Sequence, residues 1–393
     1  MHIDIHPQHF AFGVGCVDID RLTPAPNHRC YPRRDYNSTV LVWRLLDQFD
    51  ELVLPIKEHR LMSTPKVAVI GTGGTISSIG KGPLDILDYS ATGTRLATDK
   101  IIELFPQVHE VAEVIAVPFR EISSTAMGYP EWRALVLMID DLAAAHPDLA
   151  GVVVTHGTAT LEETAYALQL TLKVDFPVVL TGSQRPASAL STDAGFNLLN
   201  AIRTAASADA RGLGVLTVLN DEIHSAREVT KTSTYRLQTF RTPDFGCLGH
   251  ADGDAVVFYR KPLRCSAPDT EFDIRALDAL PRVDILYAYC GADATAAKAF
   301  IAAGARGIVS AGFPAGFCAP GELDTLKEAV ANGIIVVQST RAGSGRTFKN
   351  TKLNEAGFLI ADNLNPQKAR ILLALALTVT RDPSEIERIF RTY

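Results

Sequence analysis

The sequence contains few cysteines, and their spacing excludes two common kinds of small scaffold. Six are scattered over 393 residues, and no two of them form a CxxC pair. A disulfide framework needs a higher density of cysteines, and a structural zinc site usually brings paired ones. The pattern therefore predicts reduced thiols and a cytoplasmic protein. The cysteines are Cys16, Cys30, Cys247, Cys265, Cys290 and Cys318.

The sequence also lacks a strong charge of one sign and any long apolar run. Lys and Arg number 38 against 44 Asp and Glu, which gives a net charge of −6. A nucleic-acid-binding protein would need a basic surface to neutralise phosphates. No apolar run reaches the ~18–20 residues of a membrane-spanning helix, and the amino terminus lacks the features of a secretory signal. We therefore expect a soluble protein that has neither nucleic acid nor membrane as a partner.

Composition divides the chain into four parts. Residues 1–61 are rich in His, Pro and Arg and show little periodicity. We predict that they form an extension that is poorly ordered or reflects a misassigned start, with Met62 as the natural start. Regular patterns then predict an N-terminal domain over 62–263, an interdomain linker over 264–281 and a second domain over 282–393.

Short valine-rich runs alternate with amphipathic segments over most of the chain. Runs such as KVAVIG (66–71) and GVVVTHG (151–157) are typical of strands buried on both faces of a parallel sheet. The stretch 130–147 has its apolar residues at helical spacing, and Thr160 followed by Glu163 is a capping-box spacing that predicts a helix start. The alternation predicts an α/β fold with two domains: a larger N-terminal parallel or mixed sheet flanked by helices, and a smaller flavodoxin-like C-terminal domain.

Several common cofactor and hydrolase motifs are absent. The stretch VAVIGTGGTISS (67–78) has Ile76 where a dinucleotide fingerprint needs its third glycine, and no Walker lysine follows. The sequence contains no GxSxG, no HExxH and no Cys with a recognisable His partner. No cluster of acidic or thiol ligands accompanies the histidines near the amino terminus, and spacing alone cannot show that they converge on a metal. We therefore expect neither a metal nor an organic cofactor.

A glycine-rich turn follows the first predicted strand and leads to Thr75. Gly71, Gly73 and Gly74 let the backbone turn sharply and leave N–H groups free to bind an anion. A hydroxyl at the tip of such a turn is a candidate nucleophile beside an oxyanion site. The alternative is a turn threonine that bonds to its own backbone.

Two further segments carry groups that could join Thr75 in one site. Thr158 lies between the end of a predicted strand and the helix that starts after Thr160. Since ligands bind at the carboxyl ends of parallel strands, we expect Thr75 and Thr158 to face one crevice. Lys231 would accept a proton if burial lowered its pKa, although an isolated lysine is usually a solvated surface group. We interpret His156 as structural, because a histidine that ends a buried strand usually bonds backbone.

Together these segments resemble the bacterial-type L-asparaginase/glutaminase family over residues 66–393. The resemblance implies hydrolysis of a side-chain amide by threonine-based double displacement, with no cofactor. It also implies two α/β domains and a homotetramer in which each site is completed across a dimer interface. Seven motifs occur in the order of the family: TGGTI (72–76), THGT (155–158) with LEETAY after it, GSQRP (182–186), FNLLNA (196–201), ND (220–221), VTKT (229–232) and LNPQKAR (364–370).

The resemblance assigns catalytic roles to individual residues. Thr75 matches the nucleophile of the family, and Tyr89 matches the loop tyrosine that hydrogen-bonds it. Thr158 and Lys231 match the second threonine and its lysine partner. The resemblance therefore implies that these four side chains meet in one site.

The substrate-binding positions match the family only in part. Ser124 matches the serine that binds the substrate α-carboxylate, and Thr125 beside it is assigned to the same binding site. Ala159 stands where the family has an aspartate that binds the α-ammonium group, Gly291 where it has an asparagine, and Lys352 where it has a glutamate of the neighbouring subunit. A desolvated ammonium without a carboxylate partner is costly. These departures predict a substrate without an α-amino group.

Three functional hypotheses follow. The first is hydrolysis of an amide whose acid lacks the α-amino group, such as a half-amide resembling succinamate, an imide or a ureido acid; Lys352 would then bind a second carboxylate. The second is an ordinary L-asparaginase whose ammonium is held by groups that the sequence does not locate, such as Glu121 or Glu322. The third is a catalytically inactive binding or sensor protein on the same scaffold, which the retained threonines and lysine disfavour.

Overall fold

The computed structural model describes residues 64–393. The predicted extension over 1–61 and the predicted start at Met62 lie outside the described residues. Within the described part, strands alternate with helices in a larger mixed sheet and a smaller parallel sheet, which confirms the predicted α/β fold class. None of the helices found there is long and apolar enough to cross a membrane.

The strands and helices of residues 64–393 begin and end as follows. The strands are β1 Lys66–Gly71, β2 Glu113–Pro118, β3 Leu149–Thr155, β4 Val178–Thr181, β5 Val215–Leu219, β6 Glu222–Ser225, β7 Thr230–Lys231, β8 Phe240–Arg241, β9 Gly249–Ala251, β10 Val256–Phe258, β11 Val283–Tyr287, β12 Gly307–Gly312, β13 Ile335–Thr340 and β14 Leu359–Ile360. The helices are α1 Thr98–Leu104, α2 Tyr129–Ala145, α3 Leu161–Thr171, α4 Ala194–Ala206, α5 Thr295–Ala302, α6 Pro320–Ala331, α7 Thr351–Glu355, α8 Pro366–Val379 and α9 Pro383–Thr392.

The larger sheet has eight strands in the order β10-β9-β6-β5-β4-β3-β1-β2. The strands from β2 to β5 in this row are parallel, whereas β6, β9 and β10 add antiparallel pairs at the other edge. The partial order β2-β1-β3-β4-β5 is that of flavodoxin-like sheets, in which the direction of strand addition reverses between β1 and β3. This reversal opens a crevice at the carboxyl ends of those two strands.

The alternation of side chains along β1 explains why this strand is buried on both faces. Ala68 and Ile70 pack in a cluster with apolar residues of α2 and α3. Val67 and Val69 point to the opposite face and pack with residues of α1 and α4. Because helices cover both faces, the strand is a continuous apolar run.

The smaller sheet consists of β11, β12, β13 and β14, which are parallel and lie in chain order. The reversal of strand order that is typical of flavodoxin-like folds therefore lies in the larger sheet. No helix or strand of the described chain occurs between β10 and β11, where the linker is predicted. Helix α8 packs against α3, and one apolar cluster includes residues of both sheets, such as Val152 and Val309.

Candidate active site

One cavity lies at the carboxyl ends of the parallel strands of the larger sheet. Its volume is about 350 Å³, and its walls come from the segments after β1, β2, β3 and β4 together with β7 and the residues that follow it. This is the crevice that the reversal of strand order leaves for a ligand. All four predicted catalytic residues line it: Thr75, Tyr89, Thr158 and Lys231.

Direct backbone contact holds the turn after β1 against the turn after β3. Gly74 has a φ of 89°, and a Cβ built on it would lie 2.4 Å from backbone atoms of Gly157. The backbone N–H and the hydroxyl of Thr72 both donate to the carbonyl of Thr155, at 3.1 and 2.9 Å. Because no side chain separates the two turns, the threonines that they carry face the same cavity.

Thr75 forms a hydrogen bond with Tyr89 rather than with its own turn. The two hydroxyl oxygens lie 2.8 Å apart, and Tyr89 opens a short 3-10 helix in the segment after β1. The backbone of the turn is bonded instead by Ser77 and Ser78, whose hydroxyls each donate to the carbonyl of Gly74 at 2.9 Å. Thr75 is half-buried at the cavity wall, which leaves its hydroxyl in contact with the space that a substrate would occupy.

Thr158 is paired with the lysine that follows it by 73 residues in the chain. The Nζ of Lys231 lies 2.7 Å from the Oγ1 of Thr158. Burial lowers the pKa of Lys231 below its ordinary value of 10.5, and the carboxylate of Glu162 partly opposes that shift. A lysine with a lowered pKa can lose its proton and then accept one from the threonine hydroxyl or from water.

Free backbone N–H groups lie beside this pair. Neither the N–H of Thr158 nor that of Ala159 donates to another group within residues 64–393. Helix α3 begins two residues after Ala159, so its partial positive charge lies at the same place. Such donors can stabilise the oxyanion that forms when a nucleophile adds to a carbonyl.

Thr160 precedes α3 as predicted, but the predicted capping box is wrong. The Thr160 side chain accepts no hydrogen bond from the helix, and its hydroxyl donates to the carbonyl of Ser124 at 2.7 Å. The hydroxyl is therefore used to join the segment after β2 to the segment after β3. This bond fixes the backbone of Ser124 at the cavity.

His156 does not line the cavity and its ring is fully buried. The Nδ1 lies 2.7 Å from the carbonyl of Gly157, and burial lowers the pKa of His156 to about 4. The ring is therefore neutral at ordinary pH and bonds backbone, as its interpretation as a structural residue predicts. The titratable group that contacts Thr158 is Lys231 rather than this histidine.

The predicted binding residues Ser124, Thr125 and Ala159 also line the cavity. No Asp or Glu of the described chain lines it, whereas the cations Arg95 and Lys231 do. The sequence analysis did not identify Arg95. Its guanidinium donates to the carbonyl of Glu121 at 3.2 Å.

The two acids considered as replacements at Ala159 lie elsewhere. Glu121 is exposed and its side chain does not line the cavity. Glu322 is buried at the start of α6, where its carboxylate accepts the N–H of Ala319 at 2.8 Å. The expectation that either of them reaches the cavity of this chain is therefore wrong, because one points to solvent and the other caps a helix beside the smaller sheet.

Lys352 and Gly291 belong to the part of the chain that forms the smaller sheet. Lys352 is an exposed residue of α7, and Gly291 is exposed after β11 with a φ of 82°. Neither lines the cavity of its own chain. The match of Gly291 to the asparagine of the family and the assignment of Lys352 to the site of a neighbouring subunit stay predictions.

Gln184 is a second lining residue that the sequence analysis did not single out. It lies in GSQRP, directly after β4, and it is buried at the cavity wall. The rule that ligands bind at the carboxyl ends of parallel strands was applied only to the segments after β1 and β3. Its extension to β4 would have indicated Gln184.

The arrangement is suited to acyl transfer. A half-buried hydroxyl with a phenol partner lies in the same cavity as a hydroxyl–amine pair and two free N–H groups. Covalent hydrolysis of a carbonyl compound requires a nucleophile, a proton acceptor and an oxyanion site.

Two family models match the chain. The model described as asparaginase, N-terminal, matches residues 66–264, and the glutaminase/asparaginase C-terminal domain matches residues 282–390. Together they span the larger sheet, the smaller sheet and the two-stranded antiparallel sheet that β7 and β8 form.

Relatives of known name and structure match over most of their length. L-asparaginase 2 of Escherichia coli is 39% identical over 334 residues, which cover 84% of this chain and 94% of the relative. Glutaminase-asparaginase of Pseudomonas fluorescens is 36% identical over 330 residues, which cover 83% and 90%. A solved structure described as "Probable Cytoplasmic L-asparaginase from Campylobacter jejuni" has a TM-score of 0.80 at 39% identity and covers 84% of this chain and 100% of that one.

Proposed function

Because this chain belongs to the bacterial-type asparaginase/glutaminase family, we propose that it hydrolyses the side-chain amide of a carboxylic acid that lacks an α-amino group. As a member of this family the protein is an amidohydrolase. The preferred substrate is a dicarboxylic half-amide of the succinamate type, with imides and ureido acids as related compounds. The main support for this proposal is that no Asp or Glu of residues 64–393 lines the cavity, so the described chain offers no partner for an α-ammonium group.

The charges at the cavity favour an anion and oppose an ammonium group. Arg95 and Lys231 line it, and no acidic residue of the described chain does so. An ammonium that enters such a site loses water and gains no carboxylate partner. A substrate carboxylate, by contrast, can accept hydrogen bonds from Ser124 and Thr125 and can pair with the guanidinium of Arg95.

The first half of the reaction forms an ester on Thr75. Its Oγ adds to the amide carbon, and the negative charge on the amide oxygen is stabilised by the N–H groups of Thr158 and Ala159. The hydroxyl proton passes by way of Tyr89 to the leaving nitrogen. The C–N bond then breaks, ammonia leaves, and the acyl group remains on Thr75.

The second half of the reaction restores the free enzyme. The neutral amine of Lys231, acting with the hydroxyl of Thr158, accepts a proton from a water molecule that attacks the ester carbon. The bond between the carbon and the Thr75 oxygen breaks, and the proton returns to that oxygen. The acid product leaves, so that one amide and one water yield one acid and one ammonia.

An ordinary L-asparaginase is the second candidate function. It is favoured by the names of the relatives, which are L-asparaginase or glutaminase-asparaginase at 35–40% identity. It requires that a group outside the described chain bind the ammonium, since no acid of residues 64–393 lines the cavity. The substrate preference separates the two candidates.

We expect kcat/KM for succinamate to exceed that for L-asparagine by at least about tenfold, since a charged hydrogen-bond partner is worth about 1.5–3 kcal/mol. Ala159→Asp should raise kcat/KM for L-asparagine relative to succinamate by about 10- to 100-fold for the same reason. The measurement is ammonia release from both substrates by each variant, which gives the ratio of kcat/KM for L-asparagine to that for succinamate.

The matched control is Ala159→Asn, which has the shape of the aspartate without its charge. This variant should leave the ratio close to that of the unmodified protein. Faster turnover of L-asparagine than of succinamate by the unmodified protein would overturn the proposed substrate class and leave the amidohydrolase activity in place.

We also propose that the protein is a cytoplasmic homotetramer in which Lys352 of one subunit reaches the cavity of another. Lys352 is exposed and does not line the cavity of its own chain, and the described cysteines Cys247, Cys265, Cys290 and Cys318 are free. Light scattering should give four times the mass of the chain, and cell fractionation tests the location. A monomer that is fully active would contradict the shared site.

A further inference from the structure

Glu162 is a buried acid that lies outside the cavity. It occupies the first turn of α3 and is only 6% exposed, and it is not among the residues that line the cavity. Its Oε1 accepts a hydrogen bond from the Nε2 of Gln367 at 2.9 Å, and its Oε2 accepts one from the Nδ2 of Asn365 at 3.4 Å. Both partners are neutral amides, so they hold the carboxylate in place without cancelling its charge.

Asn365, the residue before α8, joins Glu162 to the strand that carries Lys231. Its Nδ2 also lies 3.4 Å from the Oγ1 of Thr230, which precedes Lys231 in β7. The Nζ of Lys231 donates to Thr158 and forms no ion pair with an acid of residues 64–393. Glu162 therefore acts on the amine without touching it. Because the carboxylate is buried, water screens its field less than that of a surface acid.

Glu162 also faces a second buried lysine, Lys368 of α8. Burial lowers the pKa of Lys368 to about 8, and Glu162 opposes this shift as well. The Nζ of Lys368 donates to three backbone carbonyls between β6 and β7. Lys368 does not line the cavity, so it does not exchange a proton with a bound substrate. The other charges that act on Lys368 are those of Arg227, Glu228 and Glu163. On Lys231, by contrast, Glu162 is the one charged group of the described chain that acts.

We propose that Glu162 is a positioning residue whose carboxylate stabilises the ammonium that Lys231 becomes when it takes a proton in the second half of the reaction. This inference deepens the proposed function and rests on its assignment of Lys231 as the proton acceptor. A neutral amine gains little from a nearby negative charge, whereas an ammonium gains much, so the interaction favours the proton transfer itself. Ala159, which follows Thr158, offers no carboxylate for this purpose.

Glu162→Gln tests the inference, because it removes the charge and keeps an oxygen that can accept from Gln367. The assay uses whichever of succinamate and L-asparagine is turned over faster. We expect the plateau of kcat at high pH to fall about tenfold, which is part of the 10²–10⁴-fold contribution of a proton acceptor. The rise of kcat with pH should move to lower pH, because the carboxylate that helps Lys231 keep its proton is gone. KM should stay within about twofold, since Glu162 does not line the cavity.

Two further variants separate the charge of Glu162 from its place in the fold. Glu163→Gln is the matched control: Glu163 is the next residue of α3 and acts on Lys368 but not on Lys231, so this variant should leave the pH profile of kcat unchanged. Gln367→Lys keeps the carboxylate and places a cation beside it. It should move the profile in the same direction as Glu162→Gln.

NMR titration of isotope-labelled lysines gives the same information without turnover. Lys231→Met identifies the signal of Lys231, whose pKa should be lower in Glu162→Gln than in the unmodified protein. The titration follows the folded protein alone, so a partly unfolded sample does not affect it. A Lys231 signal that titrates at the same pH in both proteins, or a profile that moves equally in Glu163→Gln, would overturn the role of Glu162 and leave the proposed function intact. Full activity of Lys231→Met would instead refute the proton acceptor of the proposed function.

Discussion

Thr75→Ala should lower kcat for amide hydrolysis by at least about 10⁴-fold, because removal of the nucleophile from a covalent mechanism costs that much or more. The hydroxyl of Thr75 lies 2.8 Å from that of Tyr89 at the wall of the cavity. Thr158, the other threonine of the proposed catalytic set, is bonded to Lys231 and acts in the second half of the proposed reaction. Ammonia release at saturating substrate measures the loss.

Thr75→Ser is the matched variant for this experiment. It keeps the hydroxyl and should retain measurable activity, and in both variants the melting temperature should stay close to that of the unmodified protein. Rapid quenching followed by mass spectrometry should find the acyl group on the peptide that contains Thr75. If Thr75→Ala keeps more than about 1% of the activity, or if the acyl group is found on Thr158, the assignment of the nucleophile is wrong.

Lys231→Met should lower kcat by about 10²–10⁴-fold, the usual contribution of a positioned proton acceptor. In the unmodified protein the rate should rise with pH, because the amine must be neutral to accept a proton from Thr158 or water. Burial lowers the pKa of Lys231 below 10.5, so the neutral fraction, and with it the rate, grows at a lower pH than for an exposed lysine. The dependence of kcat on pH measures this rise.

Two control variants distinguish a role in proton transfer from a role in folding. Lys231→Arg keeps a positive charge that cannot be lost near neutral pH, so it should lose the rise of rate with pH. Lys173 is a second lysine whose pKa burial lowers, but it bonds Thr270 outside the cavity. Lys173→Met should therefore leave the pH profile unchanged. A pH-dependent rise that persists in Lys231→Arg would assign the proton acceptor to another group.

The sequence predicts β1 and β3, the two strands after which Thr75 and Thr158 lie, and it also predicts where each strand ends. A strand buried on both faces must be continuously apolar, so its end is visible where glycine or a polar residue follows, as in β1 and β3. The pairing of Thr158 with Lys231 depends on contacts between distant segments, and only the resemblance to a family predicted it.

Other features could not be predicted because they depend on which of several partners a polar group selects. The spacing of Thr160 and Glu163 is correct for a capping box, yet the Thr160 hydroxyl bonds the carbonyl of Ser124, which no local pattern indicates. Arg95 and Gln184 reach the cavity from segments whose course is set by tertiary contacts. The proposed role of Lys352 involves a second subunit, so a single chain contains no information on its distance from that subunit's cavity.

The contact between Gly74 and Gly157 limits which positions of the cavity can be changed by protein engineering. A methyl group at Gly74 would collide with the main chain of the opposite turn, so the backbone fixes the distance between the turns that carry Thr75 and Thr158. Ala159 and Gln184 line the wall without being part of that contact. A library that randomises these two positions and keeps both glycines should therefore alter which amides are accepted while the chemical step is conserved.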